Sequence, residues 1–275
     1  MYNKIGDNMD IIKYAFLGLV QGITEALPIS SSGHVFIFRE LLGMNFLYDM
    51  NFDILVNFGS LVAILLLYKK DLINIIKDFF LFIKTKEKKY QSNFKYALLL
   101  IIATIPAGIF GLIYKDSISK VMNLKLLGIS FLMTSAFVFI CRKIKGKKDD
   151  SKITILDSII IGLYQIMALL PGVSRSGATI SAGMSRDLKR ESALKFSFLL
   201  YIPISLASMI LGVNDLIKSP TLNTLWFPYL IATIIAGIAT YYTFKWFRKM
   251  LLNNGKLIYF SIYTLLLGLT LLIVF

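Results

Sequence analysis

Pro171-Gly172-Val173-Ser174-Arg175-Ser176-Gly177-Ala178-Thr179 sets one arginine among small and hydroxyl-bearing residues, inside a chain otherwise suited to hydrocarbon. A charge at membrane depth costs about 3 kcal/mol on insertion scales, so it ordinarily faces protein or water and serves a purpose there. Its natural partner is an anion.

Composition makes the membrane the right frame. The 275 residues are 56% hydrophobic and 17% charged, with mean hydropathy +0.70, and apolar runs recur to the last residue. This reads as a polytopic membrane protein rather than a soluble domain with a large core. A net charge of +14 would suit nucleic acid, but most of the basic residues lie in short loops between apolar runs, which is the pattern of positive-inside topology. Cys141 is the single cysteine, which excludes an internal disulfide and offers no metal site. Asp7, Asp10 and Lys13 precede the first apolar stretch, and no small-residue cleavage site follows, which argues against a removable signal peptide.

The expected order is all-α. Residues 10 to 27 are apolar but interrupted by Lys13, Gly18, Gln21, Gly22 and Glu25, then stopped by Pro28 and Ser30-Ser31-Ser32-Gly33-His34. A helix so broken is a poor lipid-facing span. A short apolar piece (35 to 43) follows, then a clean span at 52 to 69 and an amphipathic, interfacial piece at 71 to 84. Further spans are expected at 94 to 114 and 121 to 141. Residues 153 to 170 repeat the opening pattern, with Gly162 and Gln165 before the proline and hydroxyl run. Spans at 192 to 213, 225 to 247 and 256 to 275 close the chain.

The two halves match. At a constant offset of 144, Gly18, Leu19, Gln21, Ser30, Ser32 and Gly33 correspond to Gly162, Leu163, Gln165, Ser174, Ser176 and Gly177. In a separate, later block, Ala103-Thr104-Ile105 and Ala107-Gly108-Ile109 match Ala232-Thr233-Ile234 and Ala236-Gly237-Ile238. One broken hairpin plus three spans per half is an odd number of crossings, so the second half is inverted. The expected fold is therefore a single integral membrane domain, 1–275, with six transmembrane helices, two re-entrant helical hairpins and an inverted-topology internal repeat (about 10–141 and 153–275). Lysine-rich connections put 69 to 95, 142 to 152 and 245 to 256 in the cytoplasm and both termini outside.

The hairpin tips carry the polar residues. Gln21 and Glu25 share one helix face near Ser30 and Ser31. Glu25 can hold a divalent cation that bridges phosphates or act as a general base, and Gln21 can ligate through its amide. The Ser30, Ser31, Ser32 and Gly33 run offers hydroxyls and, at a helix start, backbone N–H groups for an anion. His34 is the only histidine, so any imidazole acid or base is His34. Arg175 presents a planar fork for phosphate, with Ser174, Ser176 and Thr179 as further donors. A salt bridge to Glu25 is the purely structural alternative for Arg175. One cation, one carboxylate, one imidazole and several hydroxyls suit a diphosphate, with a seryl oxygen attacking phosphorus as the reaction class. Phosphate-loop, H-E-x-x-H and G-x-S-x-G motifs are absent from the sequence. Ser31-Ser32-Gly33-His34 is similar to part of the acid-phosphatase signature of lipid phosphate phosphatases, but that family needs a second histidine.

Gln21 through His34, taken with Pro171 through Thr179, closely resembles the undecaprenyl-diphosphate phosphatase, or bacitracin-resistance, family across the whole chain. The resemblance implies removal of the terminal phosphate from a C55 polyprenyl diphosphate in a bacterial cell membrane, recycling the carrier lipid for cell-wall synthesis and conferring bacitracin resistance. It implies a divalent cation, magnesium or calcium, near Glu25 and Gln21. It also implies Ser31 as nucleophile, His34 and Glu25 as the proton-handling pair, and Arg175 as phosphate clamp. Glutamine at position 21, where the family motif allows glutamate or glutamine, leaves a metal site one carboxylate poorer. The expected partners are the polyprenyl lipid and the bilayer, with no nucleic acid; a homodimer is compatible with the reading. The competing reading is a secondary transporter or lipid flippase, because inverted repeats with broken helices are also the layout of carriers.

Overall fold

The computed structural model describes residues 4–44, 50–120, 123–253 and 256–275. Among them run eleven α-helices: α1 (Lys4–Glu25), α2 (Ser31–Leu41), α3 (Met50–Leu67), α4 (Lys69–Thr85), α5 (Gln91–Lys120), α6 (Leu124–Cys141), α7 (Ile155–Met167), α8 (Arg175–Ser185), α9 (Arg190–Lys218), α10 (Pro220–Leu252) and α11 (Leu257–Val274). The described residues form no strand. Helices α5, α6, α9, α10 and α11 are long and apolar enough to cross a membrane. Helices α3 and α4 meet at 76° and supply a sixth crossing if the bent pair is one span. Residues 121 and 122, where one span was expected to begin, and 254 and 255, in the last basic connection, lie outside the described residues.

Local chemistry sets the boundaries. The α1–α2 connection holds Pro28, which has no N–H to continue α1. Ser30 and Ser174 then cap α2 and α8, their hydroxyls accepting from the backbone N–H of Gly33 at 3.3 Å and Gly177 at 3.0 Å. Ser30 does this at φ +73°, a left-handed conformation costly for a serine. Thr154 and Asp157 form a reciprocal capping box at the start of α7. Along α4, Ile73, Ile76, Phe80 and Ile83 are exposed at helical spacing, the apolar stripe expected of an interfacial helix.

Small residues let the helices approach closely. Helix α1 lies against α10 with Gly18 facing Ala232, where a Cβ on Gly18 would stand 2.4 Å from the Ala232 carbonyl oxygen. Helix α7 lies against α5 with Gly162 facing Ala103, at 2.6 Å by the same measure. Polar side chains join the buried contacts, as is usual within membranes. Ser135 and Ser261 donate to each other's backbone carbonyls across α6 and α11, at 2.8 and 3.0 Å. Thr240 bonds Ser60 Oγ and the Gly22 carbonyl. Buried aromatic and aliphatic groups such as Phe196, Phe198, Leu199, Phe244 and Phe247 fill the centre.

The basic 142 to 154 connection is tied down by ions. Asp157, fully buried, receives Lys148 Nζ and Arg186 Nε, each at 2.9 Å. Lys195 joins Asp71 and Asp150 at 2.6 and 3.1 Å. The two polar turns, one between α1 and α2 and one between α7 and α8, touch where Ser176 Oγ donates to the Leu27 carbonyl at 3.0 Å.

Candidate active site

Helix α1 ends on Glu25 and α8 begins on Arg175, so contact between the two turns brings these side chains together. Arg175 Nη2 donates to Glu25 Oε1 at 2.6 Å. Ser31 Oγ, in the first turn of α2, donates to Glu25 Oε2 at 2.5 Å. Gln21, one turn earlier on α1, donates Nε2 to the same Oε2 and to Asn57 Oδ1, both at 3.1 Å. The Arg175 guanidinium lies 3.9 Å from the centre of the Tyr201 ring, and the Tyr201 hydroxyl donates to the Asn57 carbonyl. The salt bridge foreseen as a structural alternative for Arg175 is therefore formed. It uses only part of the guanidinium: Arg175 Nη1 is buried and has no partner among the described residues. At a nitrogen this buried, a free N–H on a cation is a strong attractor for an anion.

These groups line a cavity of about 360 Å³, together with Ser30, Ser32, Ser174, Ser176 and Gln165, with Ile204 and Met209 on its apolar side. That volume accepts a diphosphate. Of the residues singled out from sequence, Gln21 reaches the cluster through Glu25, while Glu25, Ser30, Ser31, Ser32, Ser174, Arg175 and Ser176 line the cavity.

Three other residues lie elsewhere. Gly33 gives its N–H to Ser30, and a Cβ there would meet the Phe131 ring at 2.7 Å. Thr179 donates to the Arg175 carbonyl and pairs with Ser197. His34 turns toward α6 and α11, where its Nδ1 meets the Ser30 carbonyl at 2.6 Å and its Nε2 the Tyr263 hydroxyl at 2.7 Å. Its ring packs edge-on to Phe131 and stacks with Tyr263. Because a carbonyl can only accept, Nδ1 carries the proton and Nε2 accepts from Tyr263 in the neutral ring. Both nitrogens are thus engaged away from Ser31, and the group that touches the serine hydroxyl is the Glu25 carboxylate.

Two participants escaped the sequence reading. Asn57 interrupts a run read as a clean span, and a lone amide in such a run was the available signal. Tyr201 carried none, since tyrosine in an apolar helix is ordinary.

Oxygen donors for a cation are few. Among the described residues no three His, Cys, Asp or Glu side chains gather. Glu25, the amide oxygen of Gln21 and Asn57 make a sparse, all-oxygen set with one carboxylate. Such a set fits magnesium only where phosphate oxygens complete the coordination, which is how that ion is commonly held.

Comparison with known proteins covers nearly the whole sequence. Undecaprenyl-diphosphatase 2 of Bacillus thuringiensis (strain Al Hakam) is 46% identical over 259 residues, covering 94% of this chain and 95% of the relative. Undecaprenyl-diphosphatase 1 of Bacillus licheniformis is 43% identical over 269 residues, covering 97% and 99%. Undecaprenyl-diphosphatase of Oceanobacillus iheyensis is 43% identical over 266 residues, covering 96% of each chain. Residues 14–270 match the sequence model of the bacitracin resistance protein BacA, and the chain, a multi-pass membrane protein, belongs to that family.

Proposed function

We propose that the protein hydrolyses undecaprenyl diphosphate to undecaprenyl phosphate and inorganic phosphate, recycling the carrier lipid for cell-wall synthesis and conferring bacitracin resistance. The observation that carries this reading is the Ser31–Glu25–Arg175 cluster lining a diphosphate-sized cavity in a membrane-embedded helical chain. The names of the relatives agree with it.

Ser31 Oγ attacks the terminal phosphorus while its proton passes to Glu25 Oε2. The bond from phosphorus to the bridging oxygen breaks, the proton held by Glu25 passes to that oxygen, and the prenyl monophosphate leaves with Glu25 again a carboxylate. A water molecule, its proton taken by Glu25, then attacks phosphorus, the bond from phosphorus to Ser31 Oγ breaks, and Glu25 returns the proton to Oγ as phosphate departs. Arg175 offers Nη1 to the substrate at the outset and, as negative charge gathers, competes with Glu25 for its own Nη2. Each shift of the guanidinium toward phosphate leaves Glu25 the stronger base. His34 holds the Ser30 carbonyl and thereby the turn that presents Ser31. Glu25 and Gln21 would hold a magnesium or calcium ion, which when bound neutralises phosphate charge.

The prenyl chain has an apolar route. A groove of about 710 Å³ between α3 and α10 is lined by Val62, Leu66, Leu230, Ile234 and Ile238, and it shares Phe58 with the polar cavity.

Topologically, the protein has six transmembrane helices and two re-entrant hairpins in an inverted repeat, with both termini outside. The Gly18–Ala232 and Gly162–Ala103 approaches support the repeat, because each joins the hairpin of one half to a long helix of the other at matching positions. The same symmetry favours lipid translocation as a second activity. The two are separable: purified protein in detergent, given undecaprenyl diphosphate and magnesium, releases phosphate if it is a hydrolase, and Glu25→Gln abolishes the release. A protein that only translocates releases none.

A further inference from the structure

Gln165 is the residue that the mechanism above leaves unused. It lies on α7, is 1% exposed, and lines the cavity that holds Glu25, Ser31 and Arg175. Neither its Nε2 nor its Oε1 has a hydrogen-bond partner among the described residues. Its counterpart at the offset of 144, Gln21, shows the settled alternative, with its amide donating to Glu25 and Asn57. An amide sealed from water in an apolar helix is expensive unless something pairs with it. Arg175, which lines the same cavity, carries a second group unsatisfied among the described residues, its Nη1. Gln165 and Arg175 both line this cavity, and an unpaired amide and an unpaired guanidinium N–H there suit the oxygens of an anion with several acceptors.

We infer that Gln165 is a substrate-binding residue, its Nε2 donating to a diphosphate oxygen beside the one taken by Arg175 Nη1. This rests on the phosphatase reading of the cavity. It also gives the repeat a chemical asymmetry. Gln21 is committed to orienting the carboxylate, and Gln165 is left free for the ligand, with Leu169 standing where the first half has Glu25. A second carboxylate on that side would repel phosphate, whereas a neutral amide receives it.

The test is steady-state phosphate release from undecaprenyl diphosphate by the full-length protein in detergent, together with its thermal unfolding without substrate. Gln165→Leu removes the donor at similar volume. KM should rise about tenfold or more, the loss expected for one hydrogen bond to a charged group, with the unfolding midpoint unchanged or higher because a costly buried amide is gone. Gln165→Glu should raise KM further, since a carboxylate facing phosphate repels it, and Gln165→Asn should recover part of the loss. Gln165→Met repeats the first measurement should the leucine variant fold poorly. A leucine or methionine variant with KM within twofold of the parent overturns the inference, as does a glutamate variant that binds as well as the leucine one. Glu25→Gln run in parallel separates the two readings. If it is inactive while Gln165→Leu is normal, the active site stands and the role of Gln165 falls. If it retains full activity, the site itself is misplaced.

Discussion

Ser31 Oγ stands 2.5 Å from Glu25 Oε2 and donates a hydrogen bond to it. A hydroxyl already aligned on a carboxylate needs no rearrangement to lose its proton to it, and a positioned base contributes about 10²–10⁴-fold. Glu25→Gln keeps the shape and removes the acceptor charge. Phosphate release should fall by at least about 10²-fold, and Ser31→Ala should fall as far or further. Combining the two should add little, because both belong to one step, and kcat measured on the single and double variants checks this.

Arg175 is held by geometry that lysine cannot copy. Its guanidinium packs on the Tyr201 ring at 3.9 Å, bonds Glu25 with one nitrogen and keeps another without a partner among the described residues. Arg175→Lys retains the charge but loses the fork and the stacking, so kcat/KM should drop about 10²-fold or more with the fold intact. Arg175→Ala additionally strands the buried Glu25 carboxylate, a loss of about 3–5 kcal/mol for a broken buried pair, visible as a lowered unfolding midpoint in detergent.

Much of this was legible beforehand, for identifiable reasons. Apolar runs and basic loops announce helices in a membrane, because hydrocarbon forces backbone groups to pair within a segment. Hydroxyl-rich turns after Pro28 and Pro171 announce helix starts, and Ser30 and Ser174 are those caps. Glu25 and Arg175 stood out because charges in apolar segments need partners, and they found each other. His34 was harder. Uniqueness marks it for chemistry, but its direction depends on Phe131 and Tyr263, which come from distant parts of the chain. Asp53, inside a run read as plainly apolar, pairs with Arg39 at 2.7 Å, another tertiary choice that no local pattern contains.

The glycine contacts predict an unequal response to one added methyl group. Gly18→Ala and Gly162→Ala put a Cβ 2.4 and 2.6 Å from backbone oxygens, forcing helices apart at a cost of about 1–3 kcal/mol. Gly108, with nothing within 4 Å, should accept alanine with a gain of up to about 1 kcal/mol from helix propensity. Thermal unfolding of the three variants in one detergent compares them directly. Equal tolerance at all three sites would contradict the close approach.

Cation dependence should follow from the sparseness of the oxygen donors. With a single carboxylate in reach, a divalent ion is held mainly by substrate, so chelation should stop phosphate release and added magnesium should restore it fully. The unfolding midpoint without substrate should barely move on adding millimolar magnesium, since a site completed only by phosphate contributes little binding to the free protein. A large stabilisation by magnesium alone would indicate a preformed site that Glu25, Gln21 and Asn57 do not make.

The groove between α3 and α10 makes substrate length a variable. Val62 and Ile234 line it and both are exposed on the apolar surface, so tryptophan at either position fills the groove without disturbing the buried centre. If the prenyl chain leaves the cavity past Phe58 and lies there, Val62→Trp and Ile234→Trp should raise KM for undecaprenyl diphosphate several-fold. Contacts remote from the reacting phosphorus act as uniform binding, so kcat should hold. Farnesyl diphosphate, whose chain is too short to run far along the groove, should be hydrolysed with nearly parental KM. A rise of the same size for both substrates would place the effect in the polar cavity, and no rise for either would mean that the chain takes another path through the bilayer.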